Sequence, residues 1–164
     1  MPVSDIVELI RAEHARISGL TEKLDTALAQ PDLADPAWSP DLIWAMLTRY
    51  LRFHVDAAKE IAYHALDTAE PDARYAIMRA SEADAAIWET AAEASLAQPG
   101  SRTWQLAVQA TCHAATVHIT CMESSPLALF QNHVAPTVRH TLGRQWVAFM
   151  TAQALDVSVD HRRA

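Results

Sequence analysis

Four predicted helices each place imidazole or carboxylate groups at mid-length, on or beside their apolar stripe. These groups are His14, His54, Asp84, His113 and His118. Burying an unpaired polar group is costly, so groups of this kind must bond to each other, to water or to an ion. Neutral imidazoles and a carboxylate that converge from separate helices suit Fe, Zn, Mn or Cu. The pattern therefore predicts a metal site, with a metal-free acid–base pocket as the alternative.

The spacing of apolar residues around these groups predicts helices. The stripe that contains His14 consists of Val7, Ile10, Ile17, Leu24 and Leu28, with Glu13 on its shoulder. His113 and His118 flank the stripe of their own helix, about 140° apart at about 100° per residue, so that each faces a different neighbouring helix. His54 and Asp84 lie at similar distances from a predicted turn near residues 68–70, and antiparallel packing would set them at one level.

Five helices are predicted from these stripes and from their flanking residues. They run from Ser4 to about Gln30, from Ser39–Pro40 to about Asp67, from Glu70 to Pro99, from Ser101 to at least Cys121, and over about 136–155. The proline-rich segment from Pro31 to Pro40 reads as a loop, and Ser124–Ser125–Pro126 should end or kink the fourth helix. We expect one all-α domain over residues 1–164. Its core, residues 4–130, should be an up-down-up-down four-helix bundle with an additional C-terminal helix, which packs outside it or in a homodimer interface.

Composition excludes several classes of function. The chain has 164 residues, of which 51% are apolar, and a formal net charge of −7, which argues against a nucleic-acid partner. No run of about 18 uncharged apolar residues is present, so no membrane span is expected. Cys112 and Cys121 fall on one predicted helix about 13 Å apart, too far for a disulfide, and read as reduced thiols of a cytoplasmic protein.

Three short segments resemble the hemerythrin-like (HHE) family of four-helix bundles with a non-haem iron centre. They are Arg11-Ala-Glu-His14, the segment from Leu51 to Leu66, and the segment from Cys112 to His118, and the resemblance covers residues 4 to about 130. It implies iron, with Zn or Mn as other metals, and a small-molecule partner such as O2, peroxide, NO or an organic substrate. The family places bridging acids where this chain has Ala58, Val117 and His118. A single ion held by His14, His54 and His118, with Asp84 or His113 beside it, fits the remaining residues better.

Several alternatives remain open from the residues alone. If the family motif is aligned differently on the fourth helix, His118 becomes the histidine of the motif and Glu123 becomes its acidic residue. Glu60 is a weaker metal-ligand candidate on a solvated face, and His64 could line the pocket. The metal-free reading makes Asp84, His64 and His113 the acid–base candidates, and a variant of it holds haem through one histidine. A degenerate, non-catalytic bundle is the third reading.

Overall fold

The computed structural model describes residues 5–30 and 38–160, and side chains as far as residue 154, and these parts of the chain are all-helical. The elements are α1 (Ile6–Ala29), α2 (Pro40–Ala57), a π-helical turn (Ala58–Tyr63), α3 (His64–Ala69), a 3-10 turn (Pro71–Ala73), α4 (Arg74–Leu96), α5 (Arg102–Ser124), α6 (Pro126–His133) and α7 (Pro136–Asp160). Most of the predicted 31–40 loop, residues 31–37, lies outside the described residues. None of the helices in these ranges has the length and apolarity that a bilayer crossing requires.

Polar side chains fix where three of the long helices begin. Ser39 accepts a hydrogen bond from the backbone N–H of Leu42 at 3.3 Å, and Ser101 accepts one from Trp104 at 3.2 Å. Both caps satisfy N–H groups that have no partner inside the helix, and both were predicted from the sequence. The first helix differs from prediction, because Asp5 caps α1; Ser4 lies outside the described residues.

The buried apolar side chains form two clusters on either side of a polar layer. One cluster includes Ile6, Ile10, Leu66, Phe130 and Trp146. The other includes Ile17, Leu24, Leu47, Ile87 and Val108. The buried polar residues Glu13, His14 and Asp84 fall between the two clusters along α1 and α4. The predicted middle layer of ionisable groups is therefore sandwiched between apolar regions, where water competes least for its hydrogen bonds.

The second long helix contains an irregularity that the sequence analysis did not anticipate. The π-helical turn Ala58–Tyr63 joins α2 to α3 without a break. A π turn holds one extra residue, so every later side chain is rotated by about 100° from its position in a regular α-helix. In a regular helix His64 would lie about 80° from His54 and Tyr63 on the opposite face. The turn instead buries Tyr63 and exposes His64.

The chain after α5 is also more elaborate than predicted. The Ser124–Ser125–Pro126 segment ends α5, as expected, but it leads directly into the short helix α6, which was not predicted. The C-terminal helix α7 begins at Pro136 as predicted and runs to Asp160. It packs against α1 and α2, and its Trp146 is fully buried in the first apolar cluster. The C-terminal helix therefore contributes to the core of the fold.

Removing one residue from the π-helical turn should leave the buried face of the helix in place. Deletion of the exposed Lys59 would restore regular α spacing and keep Tyr63 and Leu66 facing the core, because both would move one position closer to His54 in the sequence. Deletion of Arg52, an exposed residue in the regular part of α2, would instead rotate the two halves of the helix by about 100° relative to each other and lose buried apolar contacts. We expect the free energy of unfolding to fall by more than about 2 kcal/mol for the Arg52 deletion and by clearly less for the Lys59 deletion. Chemical denaturation monitored by circular dichroism measures both. Equal destabilisation by the two deletions would contradict the role of the turn.

Candidate metal centre

Three histidines from three helices meet in the polar layer. His14 on α1, His54 on α2 and His118 on α5 have exposed fractions of 1%, 0% and 0%. One ring nitrogen from each lies within 4.8 Å of the corresponding nitrogens of the other two. The rings of His54 and His118 are nearly perpendicular, with centroids 5.3 Å apart. Among the described residues, no other group of three metal-ligating side chains comes this close together.

Each of the three imidazoles has its Nδ1 atom beside a carboxylate. The distances are 2.9 Å from His14 to Glu123 Oε1, 3.2 Å from His54 to Glu13 Oε2, and 2.8 Å from His118 to Asp84 Oδ1. The His118–Asp84 contact is a close polar approach and not a hydrogen bond, because the ring N–H does not point at the oxygen. Carboxylates at Nδ1 favour the tautomer in which Nδ1 carries the proton and Nε2 keeps its lone pair.

The Nε2 atoms of the three rings face inward. Nε2 of His54 lies 3.2 Å from Nε2 of His118, and Nε2 of His14 is buried without a hydrogen-bond partner in the described part of the chain. With both Nδ1 atoms protonated, two lone pairs of His54 and His118 face each other at this distance. Two imidazole nitrogens bound to one tetrahedral ion at about 2.05 Å would be about 3.3 Å apart. The observed separation is close to that value.

Burial keeps two of these histidines neutral. Desolvation lowers the pKa of His54 to about 3, and the neighbouring His118 lowers it further while Asp84 opposes the shift. Desolvation also lowers the pKa of His14 to about 3, helped by His54 and opposed by the hydrogen bond to Glu123. The contact between His14 and Glu123 is therefore a hydrogen bond from a neutral ring and not a salt bridge. Neutral imidazole is the form that binds metal ions.

Glu13 connects the centre to the C-terminal helix. Its Oε2 faces His54, and its Oε1 accepts a hydrogen bond from the indole N–H of Trp146 at 3.4 Å. The Trp146 ring also packs edge-on against His54, with ring centroids 5.6 Å apart. Burial raises the pKa of Glu13, although Trp146 and Arg16 counteract it. The sequence placed Glu13 on the shoulder of its stripe, but nothing in it pointed to Trp146 as a partner.

Tyr63 holds Asp84 from the side away from His118. Its hydroxyl donates a hydrogen bond to Asp84 Oδ2 at 3.1 Å and lies 3.4 Å from the sulfur of Met122. Burial and the adjacent carboxylate raise the pKa of Tyr63, so it remains a donor at all physiological pH values. Sequence reasoning missed Tyr63, because a regular helix would point it away from the core. The π-helical turn brings it to this position.

The structure separates the other predicted site residues from this cluster. His113 is exposed, because it lies about 140° from His118 on α5 and only His118 faces the three-histidine centre. His64 and Glu60 are also exposed. Glu123 does reach the centre, as the partner of His14 Nδ1, although 44% of its side chain is exposed. The expectation that His113 belongs to the buried layer is therefore wrong, and so is the alternative in which His64 lines a buried pocket. Glu60 lies on the solvated face expected for it.

The two cysteines lie outside the centre. Both Cys112 and Cys121 are free thiols on α5. Burial raises the pKa of Cys112 to about 12, and burial also raises the pKa of Cys121. Since the thiolate is the reactive and metal-binding form, neither residue is activated as a nucleophile at neutral pH.

Comparisons of the chain with protein-family models, with curated proteins and with solved structures find no match.

The low pKa values predict that the metal-free protein loses stability in mild acid. The unfolded histidines bind protons below about pH 6.5, whereas folded His14 and His54 do so only near pH 3. The unfolded state therefore binds more protons in this window, and stability falls as pH decreases. Glu13 acts in the opposite direction, because its folded pKa is raised. We expect a net slope of about 1 to 2 kcal/mol per pH unit between pH 6 and 4.5.

Urea denaturation of chelator-treated protein across this pH range measures the slope. The double variant with His14→Gln and His54→Gln should show a much shallower slope, whereas His113→Gln should keep the slope of the natural sequence. A slope unchanged in the double variant would contradict the assignment.

Proposed function

We propose that this chain is a metal-binding protein that holds one divalent transition-metal ion through His14, His54 and His118. The protein would use this centre to bind or transform a small oxidant or a small organic molecule. The observation that carries the proposal is the arrangement of the two nitrogen atoms of the imidazole rings. Each Nδ1 atom lies beside a carboxylate, and Nε2 of His54 lies 3.2 Å from Nε2 of His118, close to the separation of two ligand nitrogens on one tetrahedral ion.

The charges around the three histidines support a cation at this position. Glu13 and Asp84 are buried, and the carboxylate of the exposed Glu123 reaches in from the surface; each lies within 3.2 Å of one of the rings. No lysine or arginine forms an ion pair with these three carboxylates in the described part of the chain. Buried carboxylates are costly, and the raised pKa of Glu13 shows that the charge of Arg16 offsets only part of this cost. A divalent ion among the imidazoles would offset it.

Iron is our first choice of metal, with zinc as its main competitor. Three imidazoles suit Fe, Zn, Cu or Ni, whereas Mn prefers carboxylate and water oxygen, so the donor set disfavours manganese. The hemerythrin-like motifs around His14 and His54 favour iron over zinc. Haem fits poorly, because three ring nitrogens within 4.8 Å of one another leave no space for a porphyrin between them.

An ion held by three protein nitrogens keeps positions for water or substrate and supplies Lewis acidity, to which iron adds one-electron chemistry. The chain's own residues have separate tasks. Glu13 and Asp84 orient His54 and His118 and increase the basicity of their inner nitrogens. The two apolar clusters limit access of water to the layer. Glu123 is the one carboxylate partner that also reaches solvent, so it can exchange protons between the centre and the surface.

We further propose that α1, the long helix formed by α2 and α3, α4 and α5 make an up-down-up-down four-helix bundle, to which α6 and α7 are added. Support comes from the extensive packing of α4 along α5 and from the contacts of α1 with both α2 and α5. The polar layer at mid-height, with residues from each of the four long helices, is the placement of metal sites in such bundles.

Metal binding should require His54 and be independent of exposed histidines. Protein purified without a histidine tag and reconstituted with Fe(II) under anaerobic conditions should bind about one ion per chain. The His54→Ala variant should bind at least 100-fold more weakly, because two ligands remain. Elemental analysis and titration calorimetry measure this, in parallel with Zn(II) to decide the metal.

The matched controls are His64→Ala and His113→Ala. His64 is an exposed histidine on the same long helix as His54, and His113 is an exposed histidine on the same helix as His118. Both should bind metal like the natural sequence. Circular dichroism tests whether His54→Ala remains folded, and His118→Gln offers a more conservative second variant. One equivalent of metal in His54→Ala and His118→Gln, or no metal in the natural sequence, would overturn the proposal.

Tyr63 should influence metal affinity without touching the ion. Tyr63→Phe removes the hydrogen bond to Asp84, and we expect stability to fall by about 1 to 3 kcal/mol, since the acceptor is a buried carboxylate. We also expect metal affinity to fall about tenfold, because Asp84 no longer holds His118 in place. Tyr75→Phe is the matched control, since Tyr75 is 68% exposed. Metal affinity in Tyr63→Phe equal to that of the control would show that Tyr63 has no positioning role.

A further inference from the structure

A cleft of about 590 Å3 opens between α1, α2 and α7. Its volume lies in the range of small-molecule sites, which is about 300 to 1,000 Å3. The walls are apolar and come from all three helices. The apolar residues include Leu9, Met46, Tyr50, Phe53, Trp146 and Met150. Aromatic rings and methionine thioethers adapt to irregular hydrocarbon shapes, so the walls suit the body of an organic ligand.

Two arginines give the cleft its charge. Arg16 on α1 and Arg49 on α2 both line it and are both exposed. Neither forms a salt bridge or a hydrogen bond with another residue in the described ranges, although Arg49 lies over the Phe53 ring at 5.5 Å. The one carboxylate among the lining residues is Glu13, which already contacts His54 and Trp146. Apart from the electrostatic effect of Arg16 on Glu13 and the position of Arg49 over Phe53, both guanidinium groups have their donors free at an apolar cleft, in a chain with a net charge of −7.

We propose that this cleft binds an amphipathic monocarboxylate. The guanidinium groups of Arg16 and Arg49 pair with the carboxylate of the ligand, because their planar donors match its two oxygens. The hydrocarbon body lies along the apolar walls, in contact with Phe53 and Met150. An uncharged ligand of the same shape gains only the second of these interactions, and a cationic one is repelled by both arginines.

The cleft adjoins the candidate metal centre through two shared residues. Glu13 and Trp146 line the cleft on one side and contact His54 on the other, at 3.2 Å and with ring centroids 5.6 Å apart. A bound carboxylate is therefore separated from His54 by one layer of side chains. Binding in the cleft stands on its own, whereas its role as substrate or effector of the metal centre rests on the proposed function.

Titration calorimetry with decanoate and 1-decanol, below the concentrations at which they aggregate, tests the charge requirement. We expect decanoate to bind at least tenfold more tightly than 1-decanol. The double variant with Arg16→Gln and Arg49→Gln should bind decanoate at least tenfold more weakly than the natural sequence. Arg52→Gln is the matched control, because Arg52 is an exposed cation on α2 that does not line this cleft, and it should bind decanoate normally.

A second variant tests the location. Val147 lines the cleft and is 50% exposed, so Val147→Trp should fill the cleft without disturbing the core, and we expect it to abolish decanoate binding. Equal binding of decanoate and 1-decanol, unchanged binding in the double arginine variant, or unchanged binding in Val147→Trp would each overturn the proposal. The proposal would also be overturned if decanoate did not bind and light scattering showed a dimer, because a second copy of the chain would then cover the cleft.

Metal content measured on the same samples keeps this proposal distinct from the proposed function. The single variant Arg49→Gln should bind metal normally, since Arg49 pairs with no histidine or carboxylate of the centre. Chelator-treated protein should still bind decanoate. Loss of metal binding alone would count against the metal centre, and loss of decanoate binding alone would count against the cleft.

Discussion

The need to satisfy buried polar groups governs the middle of this protein. Three imidazoles and two carboxylates lie between two apolar clusters, where water cannot offset their desolvation. Each ring has a carboxylate beside its Nδ1 atom, although only His14 and His54 form a hydrogen bond with it. In the described part of the chain, the Nε2 atom of His14 has no hydrogen-bond partner, and those of His54 and His118 meet only each other. This layer is therefore costly to the fold, and the metal ion that we propose would offset part of the cost.

Much of the centre could be predicted from residue spacing. His14, His54 and Asp84 lie in the centres of apolar stripes and His118 on the flank of another, and a regular helix buries what lies on its stripe. The failures have separate physical causes. His113 flanks the stripe as His118 does, and periodicity alone could not decide which of the two faces the core. Tyr63 is buried and His64 is exposed, the reverse of what a regular helix would give, because the π-helical turn has more residues per turn. The hydrophobic periodicity of the sequence does not reveal such a turn.

Contacts between distant helices were the least predictable part. Trp146 reaches Glu13 from α7, more than a hundred residues further along the chain. Glu123 reaches His14 although it lies on the polar side of its helix, because a glutamate side chain is long enough to bend back to the core edge. Local pattern identifies which face of a helix is buried, but it does not identify which neighbour that face meets. The partners of the imidazoles therefore emerged only from the three-dimensional arrangement.

The π-helical turn also has a consequence for recognising relatives of this chain. Tyr63 follows His54 by nine positions, yet it faces the direction that the eighth position would face in a regular helix. A relative whose corresponding helix lacks the turn would be one residue shorter within the helix itself. Correct superposition of the two sequences would then require a gap between residues 58 and 63, in a region where gaps are normally penalised. Motifs that begin at His54 would match only as far as the turn, and an ungapped alignment would pair Tyr63 with the wrong residue.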